Sequence, residues 1–330
     1  MAELQSQFNK FHEIIKIDFE GNKPLRDKRD IILDALRGGL KKKYPINTPT
    51  FDWFNQGSYD MSTGVEPIDG NDYDIDVGVI FKFSKDRNDP VNVKKVVFDI
   101  LDAVYQRKVE VKKPCVRIQY QQAGENAYHI DLAIYARGES YNGNLNDMLY
   151  IAKGKLNSLP QNKFWEISEP YKLKELIKNK VSDNADREQF RRVIKYLKRW
   201  KDFKFSSLGT ERPTGIALTA LCYNLFNVEK DYVLNHLNTA YSYKYNDLRA
   251  LLKVVRGIQN QFTYNNKISV NLLVNPYNNL FEKMSETQML NFKQKLEFLK
   301  SMLEYATNEI QTINACMRLR DVFGEDFPKS

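Results

Sequence analysis

Residues 57–82 read GSYDMSTGVEPIDGNDYDIDVGVIFK, and this stretch decides the fold class because two acidic residues interrupt an otherwise apolar strand. Apolar and polar side chains alternate from residue 73 to residue 83, which predicts a strand with one face in a core. Asp74 and Asp76 are two positions apart and therefore share the other face. Carboxylates are among the groups least often buried, so the pair indicates a site. The alternative is a strand face open to water.

Strand patterns occupy the first half of the sequence and helical patterns occupy the second. Helical spacing predicts two N-terminal helices and a third before a β-hairpin, whose strands 116–120 and 130–134 flank the turn QQAGEN. After about residue 186 strand patterns nearly vanish. The sequence therefore predicts an α+β lobe over residues 1–170, which includes the N-terminal helices, and a helical lobe over residues 171–330. The predicted helices are 5–18, 25–42, 91–107, 186–202, 213–227, 246–261 and a segment at 285–317.

Composition narrows the class of protein. With 330 residues and 42% hydrophobic residues, the chain can bury one large core or two moderate ones. Its net charge of +8 favours phosphate-rich partners, although a solvated basic surface would account for it equally well. The sequence has no apolar run near eighteen residues and no signal-peptide pattern, so we expect a cytoplasmic protein without a membrane span. The three cysteines are isolated and favour neither disulfides nor a thiolate metal site.

A third carboxylate completes a candidate metal site. Asp131 is expected on the polar face of the second hairpin strand, apart from Asp74 and Asp76 in sequence. Carboxylates held close together raise one another's pKa unless cations neutralise them, and their hard oxygen atoms suit Mg²⁺ or Mn²⁺. Three aspartates on one sheet face would hold two divalent cations, the arrangement used for in-line displacement at phosphorus. We predict that these three aspartates are the catalytic metal ligands.

Candidate nucleotide contacts surround these carboxylates in sequence. Gly57 and Ser58 form a turn into a short helix, where free N–H groups and a hydroxyl would hold a triphosphate. Lys195 and Lys198 belong to a basic stripe on helix 186–202 that would face the phosphates, or would simply be a solvated face. Thr214 follows a proline at a helix start, where it would contact nucleotide or simply cap the helix.

The order of these motifs resembles the DNA polymerase beta-like nucleotidyltransferases, whose hallmark is a GS turn, a DxD strand and a third carboxylate. GSYDMSTG, DYDIDVGV and HIDLAIY carry that likeness. With the later motifs FRRVIKYLKRWKD, RPTGIALTAL, NPYNNLF and DVFGEDFP, the chain resembles the cGAS/DncV-like nucleotidyltransferases, called CD-NTases. The resemblance implies a mixed-sheet core, a C-terminal helical lobe and an active site in the cleft between them. It also implies two Mg²⁺ ions, with Mn²⁺ possible, and nucleoside triphosphate substrates.

The resemblance also implies roles for individual residues. By position, the metal carboxylates would be Asp74, Asp76 and Asp131. Ser58 would contact the donor triphosphate, and Lys198 and Thr214 would fall where family members contact nucleotide. Animal relatives carry a zinc-binding insertion that senses DNA, and this sequence has no cluster of Cys and His to build one.

The function implied by the family is synthesis of a cyclic di- or trinucleotide second messenger, with release of pyrophosphate, in bacterial anti-phage defence (CBASS). A separate effector protein would read the product, and we expect the enzyme to be a monomer. Two other functions stay open at this point. One is transfer of a nucleotide to another acceptor, such as an RNA end, a small molecule or a protein. The other is a non-enzymatic nucleotide or nucleic-acid binder, which the three charge-repelling aspartates disfavour.

Overall fold

The computed structural model describes residues 2–17, 23–68, 73–104, 108–120, 128–140, 142–206, 212–234 and 240–330. Its helices are α1 (Gln5–Ile15), α2 (Lys23–Lys43), α3 (Gly57–Asp60), α4 (Pro90–Val104), α5 (Pro170–Lys178), α6 (Asn184–Lys204), α7 (Gly215–Leu225), α8 (Asp247–Asn260), α9 (Glu286–Asn308) and α10 (Thr312–Phe323). Its strands are β1 (Phe51–Asn55), β2 (Tyr73–Ser84), β3 (Lys108–Val111), β4 (Val116–Tyr120), β5 (Tyr128–Glu139), β6 (Leu145–Lys153), β7 (Phe164–Ser168), β8 (Lys230–Leu234) and β9 (Ala240–Tyr245).

A mixed sheet forms the first half of the molecule. Its strand order is β1-β2-β5-β4-β3, and β6 pairs with β5 and carries β7 at the edge. The central β2 and β5 run parallel, whereas the neighbouring pairs are antiparallel. The β4–β5 hairpin is confirmed, while its turn QQAGEN lies outside the described residues. The predicted α+β class is confirmed.

The apolar face of the sheet is covered by α2 and α4. The β2 side chains at positions 75, 77, 79 and 81 are buried there against leucines and isoleucines of α2 and against Val97 and Leu101 of α4. The alternation that predicted β2 is therefore the packing pattern of this core, and it leaves Asp74 and Asp76 on the opposite face.

The remaining helices form a second apolar cluster, and α1 packs in it. Phe8 and Phe11 are fully buried, and their rings contact Tyr196 of α6 and, for Phe11, Phe323 of α10. The ring of Phe327 lies 5.2 Å from that of Phe8 and 5.1 Å from that of Phe11. The first helix therefore packs with the last residues of the chain. The lobe boundary at residue 170 stays a prediction, with α1 packing on the far side of it.

Two predictions for the helical half need correction. The segment 285–317 is two helices, because the Glu309 carboxylate accepts the backbone N–H groups of Ile310 and Gln311 at 2.7 and 2.9 Å and ends the helical pattern there. Strands β8 and β9 form a hairpin in a region where strands were not expected. Within the described residues, no helix combines the length and apolar composition that a bilayer crossing requires.

Candidate active site

Three charged side chains lie side by side across the centre of the sheet. Asp76 of β2 is the register partner of Asp131 of β5, and Asp131 is opposite Arg117 of β4. Register partners on neighbouring strands project from the same face, so these residues form one row. Asp74 precedes Asp76 by two positions and projects from the same face. The structure therefore brings the three predicted carboxylates together.

Arg117 neutralises Asp131 through a bidentate ion pair. Its Nε donates to Oδ1 at 2.7 Å and its Nη2 donates to Oδ2 at 2.6 Å. Nη2 also lies 3.6 Å from Oδ1 of Asp74. The sequence did not identify Arg117 as a site residue. Alternation in VRIQY places it on the polar face of a strand, but its ion-pair partner depends on the strand register.

Asp76 is the carboxylate without a counter-ion. It is half-buried, and within the described part of the chain its side chain has no hydrogen bond or ion pair. Burial raises the pKa of Asp76 well above its usual value, and the charges of Asp74 and Asp131 raise it further. A half-buried carboxylate with no partner is costly to the fold, which is the property expected of a group that serves a ligand.

Replacing Asp76 by asparagine is expected to raise the melting temperature of the metal-free protein at neutral pH, by about 2–4 °C for each kcal/mol relieved. Because its folded-state pKa is raised, the stability contributed by this carboxyl is fully present below its unfolded pKa, about 4, and is lost as the pH rises through the folded value. The gain from asparagine should therefore be largest near pH 8 and vanish near pH 4. Thermal unfolding in EDTA across this range measures it.

The control for this experiment is Asp52→Asn. Asp52 lies on β1 with an exposed side chain paired to Lys82, so its loss should produce no gain that grows with pH. An Asp76→Asn protein that melts below the wild type at pH 8 would contradict the assignment of Asp76 as a destabilising charge.

Gly57 lies directly beside Asp76. Gly57 begins α3 with φ +70°, and a Cβ atom on it would lie 2.0 Å from Oδ2 of Asp76, so only glycine fits this contact. The backbone N–H of Gln56 donates to the carbonyl of Asp76 at 3.0 Å. Ser58 follows and lines the same cleft. The GS turn and the DxD strand are therefore adjacent in space.

A cleft of about 950 Å³ opens over this row. Asp131 does not line the cleft, whereas Arg117, which covers it, does. Residues of α5, α6, α7 and the segment 272–280 also line the cleft. The lining includes Gly57, Ser58, Asp74, Asp76, Arg117, Lys198, Lys201, Arg212, Thr214 and Asn275.

The two predicted lysines of α6 have different environments. Lys198 lines the cleft, and its Nζ donates to the carbonyl of Thr63 at 2.9 Å and to its Oγ1 at 3.1 Å. Burial lowers the pKa of Lys198 to about 7. Lys195 does not line the cleft; its buried Nζ lies 3.2 Å from Nε2 of His12 on α1. Positions three apart differ by roughly 60° around a helix, which turns Lys195 under α1. The expectation that Lys195 faces nucleotide needs this correction.

Thr214 lines the cleft and also caps α7. Its Oγ1 accepts the N–H of Ala217 at 3.2 Å, so the helix cap expected as the alternative is present.

Two further contacts between residues that line the cleft were not evident from the sequence. Lys174 pairs with Asp60 at 2.6 Å, and Glu169 accepts two hydrogen bonds from Asn275 at 2.8 and 3.0 Å.

The oxygen atoms of Asp74, Asp76 and Asp131 are the candidate metal ligands of this site. Among the described residues no group of three His, Cys, Asp or Glu side chains is already arranged to hold an ion. In this arrangement Arg117 neutralises Asp131 instead. The three carboxylates are nevertheless hard oxygen ligands of the kind that Mg²⁺ and Mn²⁺ prefer, and Asp76 faces the cleft without a partner. The residues therefore fit a divalent cation.

The segment that carries the GS turn and the three aspartates is similar to a known protein family. Residues 51–135, from β1 into β5, match the profile described as the nucleotidyltransferase domain of the cyclic GMP-AMP synthase DncV-like family. The chain is 25% identical over 203 residues to a cyclic GMP-AMP synthase of Escherichia albertii, and 22% identical over 308 residues to a cyclic AMP-AMP-AMP synthase of an Acinetobacter species. These matches agree with the resemblance of this chain to the CD-NTases. The first match covers 59% of this chain and 41% of its relative; the second covers 90% and 78%.

Solved structures show the same fold. The crystal structure of Vibrio cholerae DncV, a cyclic AMP-GMP synthase and prokaryotic cGAS homolog, matches this chain with a TM-score of 0.73 at 16% identity. The match covers 99% of this chain and 98% of the other. A DncV structure in complex with the linear intermediate 5′ pppA(3′,5′)pG matches with a TM-score of 0.72. The predicted nucleotidyltransferase fold with a C-terminal helical part is confirmed.

Proposed function

We propose that this protein is a CD-NTase that joins nucleoside triphosphates into a cyclic di- or trinucleotide and releases pyrophosphate. The observation that carries the proposal is the row of Asp76, Asp131 and Arg117, with Asp74 beside it, because Asp74, Asp76 and Arg117 line a cleft that is also lined by lysine and arginine side chains. The names of the relatives, a cyclic dinucleotide synthase and a cyclic trinucleotide synthase, support this class of product and leave the ring size open.

Asp74, Asp76 and Asp131 would hold two divalent cations, Mg²⁺ or Mn²⁺. When bound, the cations would supply neutralisation of the departing pyrophosphate and activation of the attacking ribose hydroxyl. The three carboxylates would fix the positions of the cations, since they project from strands that pair in a fixed register. In each step a ribose hydroxyl oxygen forms a phosphodiester bond to the α-phosphorus, the bond from that phosphorus to pyrophosphate breaks, and the hydroxyl proton passes to water. The same step would repeat on the linear product to close the ring.

The other residues of the cleft would position the triphosphates. The Ser58 hydroxyl, which lines the same cleft as Asp76, would donate to the donor phosphates, and Lys198 and Arg212 would also contact phosphates. A phosphate beside Lys198 would stabilise its charged form, which burial disfavours in the free protein. Thr214 would contact nucleotide from the start of α7 while it keeps its cap.

The decisive test uses pure protein with the four NTPs and Mg²⁺ and no other acceptor. We expect short products that resist phosphatase, together with pyrophosphate, and we expect that added RNA does not stimulate NTP consumption. The physical reason is the cleft, whose volume of about 950 Å³ lies within the range of small-molecule sites, roughly 300–1,000 Å³. Chromatography of labelled products before and after phosphatase treatment makes the measurement.

The same assay recognises the competing function. Label that appears only at the 3′ end of an added RNA, without a small phosphatase-resistant product, would favour a transferase that acts on another acceptor. A control reaction with EDTA in place of Mg²⁺ should give neither product.

We also propose a biological setting on the strength of the family resemblance. The cyclic product would act as a second messenger in bacterial anti-phage defence and would be read by a separate effector protein in the cytoplasm. We propose that the enzyme acts as a monomer, with its catalytic lobe over residues 1–170 and its helical lobe over residues 171–330. Phage challenge of bacteria that carry this protein or its Asp74→Asn/Asp76→Asn form would test the setting.

A further inference from the structure

The three carboxylates of the site are unequal in the folded protein. Asp74 is exposed, with 59% of its side-chain surface accessible, and Asp76 is half-buried without a counter-ion. Asp131 has only 12% of its side-chain surface accessible, and both of its oxygen atoms accept from Arg117. The two hydrogen bonds use one lone-pair site on each oxygen, and because Asp131 does not line the cleft, its remaining sites are not open to a cation that enters from there.

Arg117 stands between Asp131 and the cleft. Arg117 lines the cleft and its side chain is 25% accessible, whereas Asp131 does not line the cleft. On the other side Asp131 lies beside the buried thiol of Cys115, whose pKa is raised by burial and by the nearby Asp131 charge. The thiol therefore stays neutral and offers Asp131 no cation. The charge on Asp131 is balanced by Arg117 from the side on which a substrate would enter.

We infer that Arg117 is the exchangeable counter-ion of Asp131, and that a divalent cation binds Asp131 only by displacing the Arg117 guanidinium toward the cleft. The inference rests on the proposed function, which makes Asp131 a metal ligand. Asp76 needs no such exchange, since it has no ion pair among the described residues. The two cation sites are thus unequal: the one that uses Asp131 fills last and more weakly.

In this exchange Arg117 is a positioning residue that lowers the affinity of Asp131 for a cation. Any cation that binds Asp131 must first break a bidentate ion pair, which reduces its apparent affinity. The arginine in return protects the metal-free protein, because without it the buried charge of Asp131 would have no counter-ion and would face the like charge of its register partner Asp76. A displaced guanidinium at the cleft wall would then lie where substrate phosphates are expected.

The test is a Mn²⁺ titration followed by electron paramagnetic resonance at pH 8, on wild type and on Arg117→Gln, without nucleotide. For Arg117→Gln we expect the weaker class of Mn²⁺ sites to tighten about tenfold or more, the effect that one contacting charge has on a neighbouring carboxylate equilibrium. We also expect its metal-free melting temperature to fall below that of wild type, with the gap closing at saturating Mn²⁺. Arg137→Gln is the matched control, because Arg137 pairs with the exposed Asp147 at 3.0 Å on the same sheet and does not line the cleft.

The outcomes separate the inference from the function on which it rests. If wild type binds Mn²⁺, Asp76→Asn weakens that binding, and Arg117→Gln binds no more tightly than wild type, the exchange is wrong and the metal site stands. If wild type binds no Mn²⁺, or Asp76→Asn binds as wild type does, the metal assignment fails and the exchange fails with it. Should Arg117→Gln fail to fold, Arg117→Lys applies. Its ammonium lacks the planar fork, so we expect a smaller tightening, and unchanged binding would overturn the exchange.

Discussion

Joint replacement of Asp74 and Asp76 by asparagine is expected to abolish formation of cyclic product and to leave the fold intact. Loss of charge stabilisation from a single catalytic group already costs roughly 10²–10³ in rate, so the double replacement should cost about 10³-fold or more. Both side chains project from a strand whose other face is buried against α2 and α4, and asparagine keeps their shape. Product yield from NTPs and Mg²⁺ measures the loss.

The fold of this double variant should be at least as stable as the wild type in metal-free buffer. Two like charges leave one strand face, and the raised pKa of Asp76 shows that its ionised form is disfavoured there. Addition of Mg²⁺ should raise the melting temperature of the wild type and not that of the variant. The control is Asp52→Asn/Asp147→Asn, which removes two exposed strand carboxylates outside the cleft. Wild-type yield from the Asp74→Asn/Asp76→Asn enzyme would refute the metal assignment.

Replacement of Gly57 by alanine is the second change with a large expected effect. The added methyl would lie 2.0 Å from Oδ2 of Asp76, so either the carboxylate or the GS turn must move. Activity should fall about 10²-fold, since misplacement of a reacting group by roughly 1 Å costs that much. Stability should fall by only about 1–2 kcal/mol, the cost of a left-handed backbone for alanine. Steady-state kinetics and thermal unfolding measure the two effects separately.

Gly143 provides the matched control for this substitution. It has φ +79° in the turn between β5 and β6, and a Cβ atom there would meet nothing within 4 Å. Gly143→Ala therefore carries the same backbone cost without the clash, and its activity should stay within about twofold of the wild type. Equal losses in the two variants would mean that the contact between Gly57 and Asp76 has no role beyond backbone strain.

Local periodicity predicted the part of the site that lies within single strands. The alternation around Asp74 and Asp76 reflects the burial of every second residue of β2, so the strand and its polar face follow from the sequence alone. The alignment of Asp131 with Asp76 depends on the parallel register of β2 and β5, which the order of motifs could suggest but not fix. The partner of Arg117 requires the β4–β5 register as well.

For helix α6, the sequence predicted which residues are buried but did not predict the partners of its polar side chains. The buried stripe of α6 follows from its spacing, whereas the partners of its cations depend on which neighbour covers each side. Lys195 meets α1, whose place against α6 is set by tertiary packing of residues far apart in sequence. The β8–β9 hairpin escaped notice because its strands are short and carry polar residues between exposed tyrosines.

The packing of α1 has a consequence for the order in which the protein can form during its synthesis. Phe8 and Phe11 bury their rings against Phe323 and Phe327. During synthesis, α1 therefore cannot pack in its final place until residues 323–327 have left the ribosome. At roughly 5–20 residues per second this wait lasts about 15–60 s, during which the strands of the sheet are already available to pair. The sheet would therefore mature early on the nascent chain, and the cleft, which is lined by residues of both halves of the chain, would be the last feature to assemble.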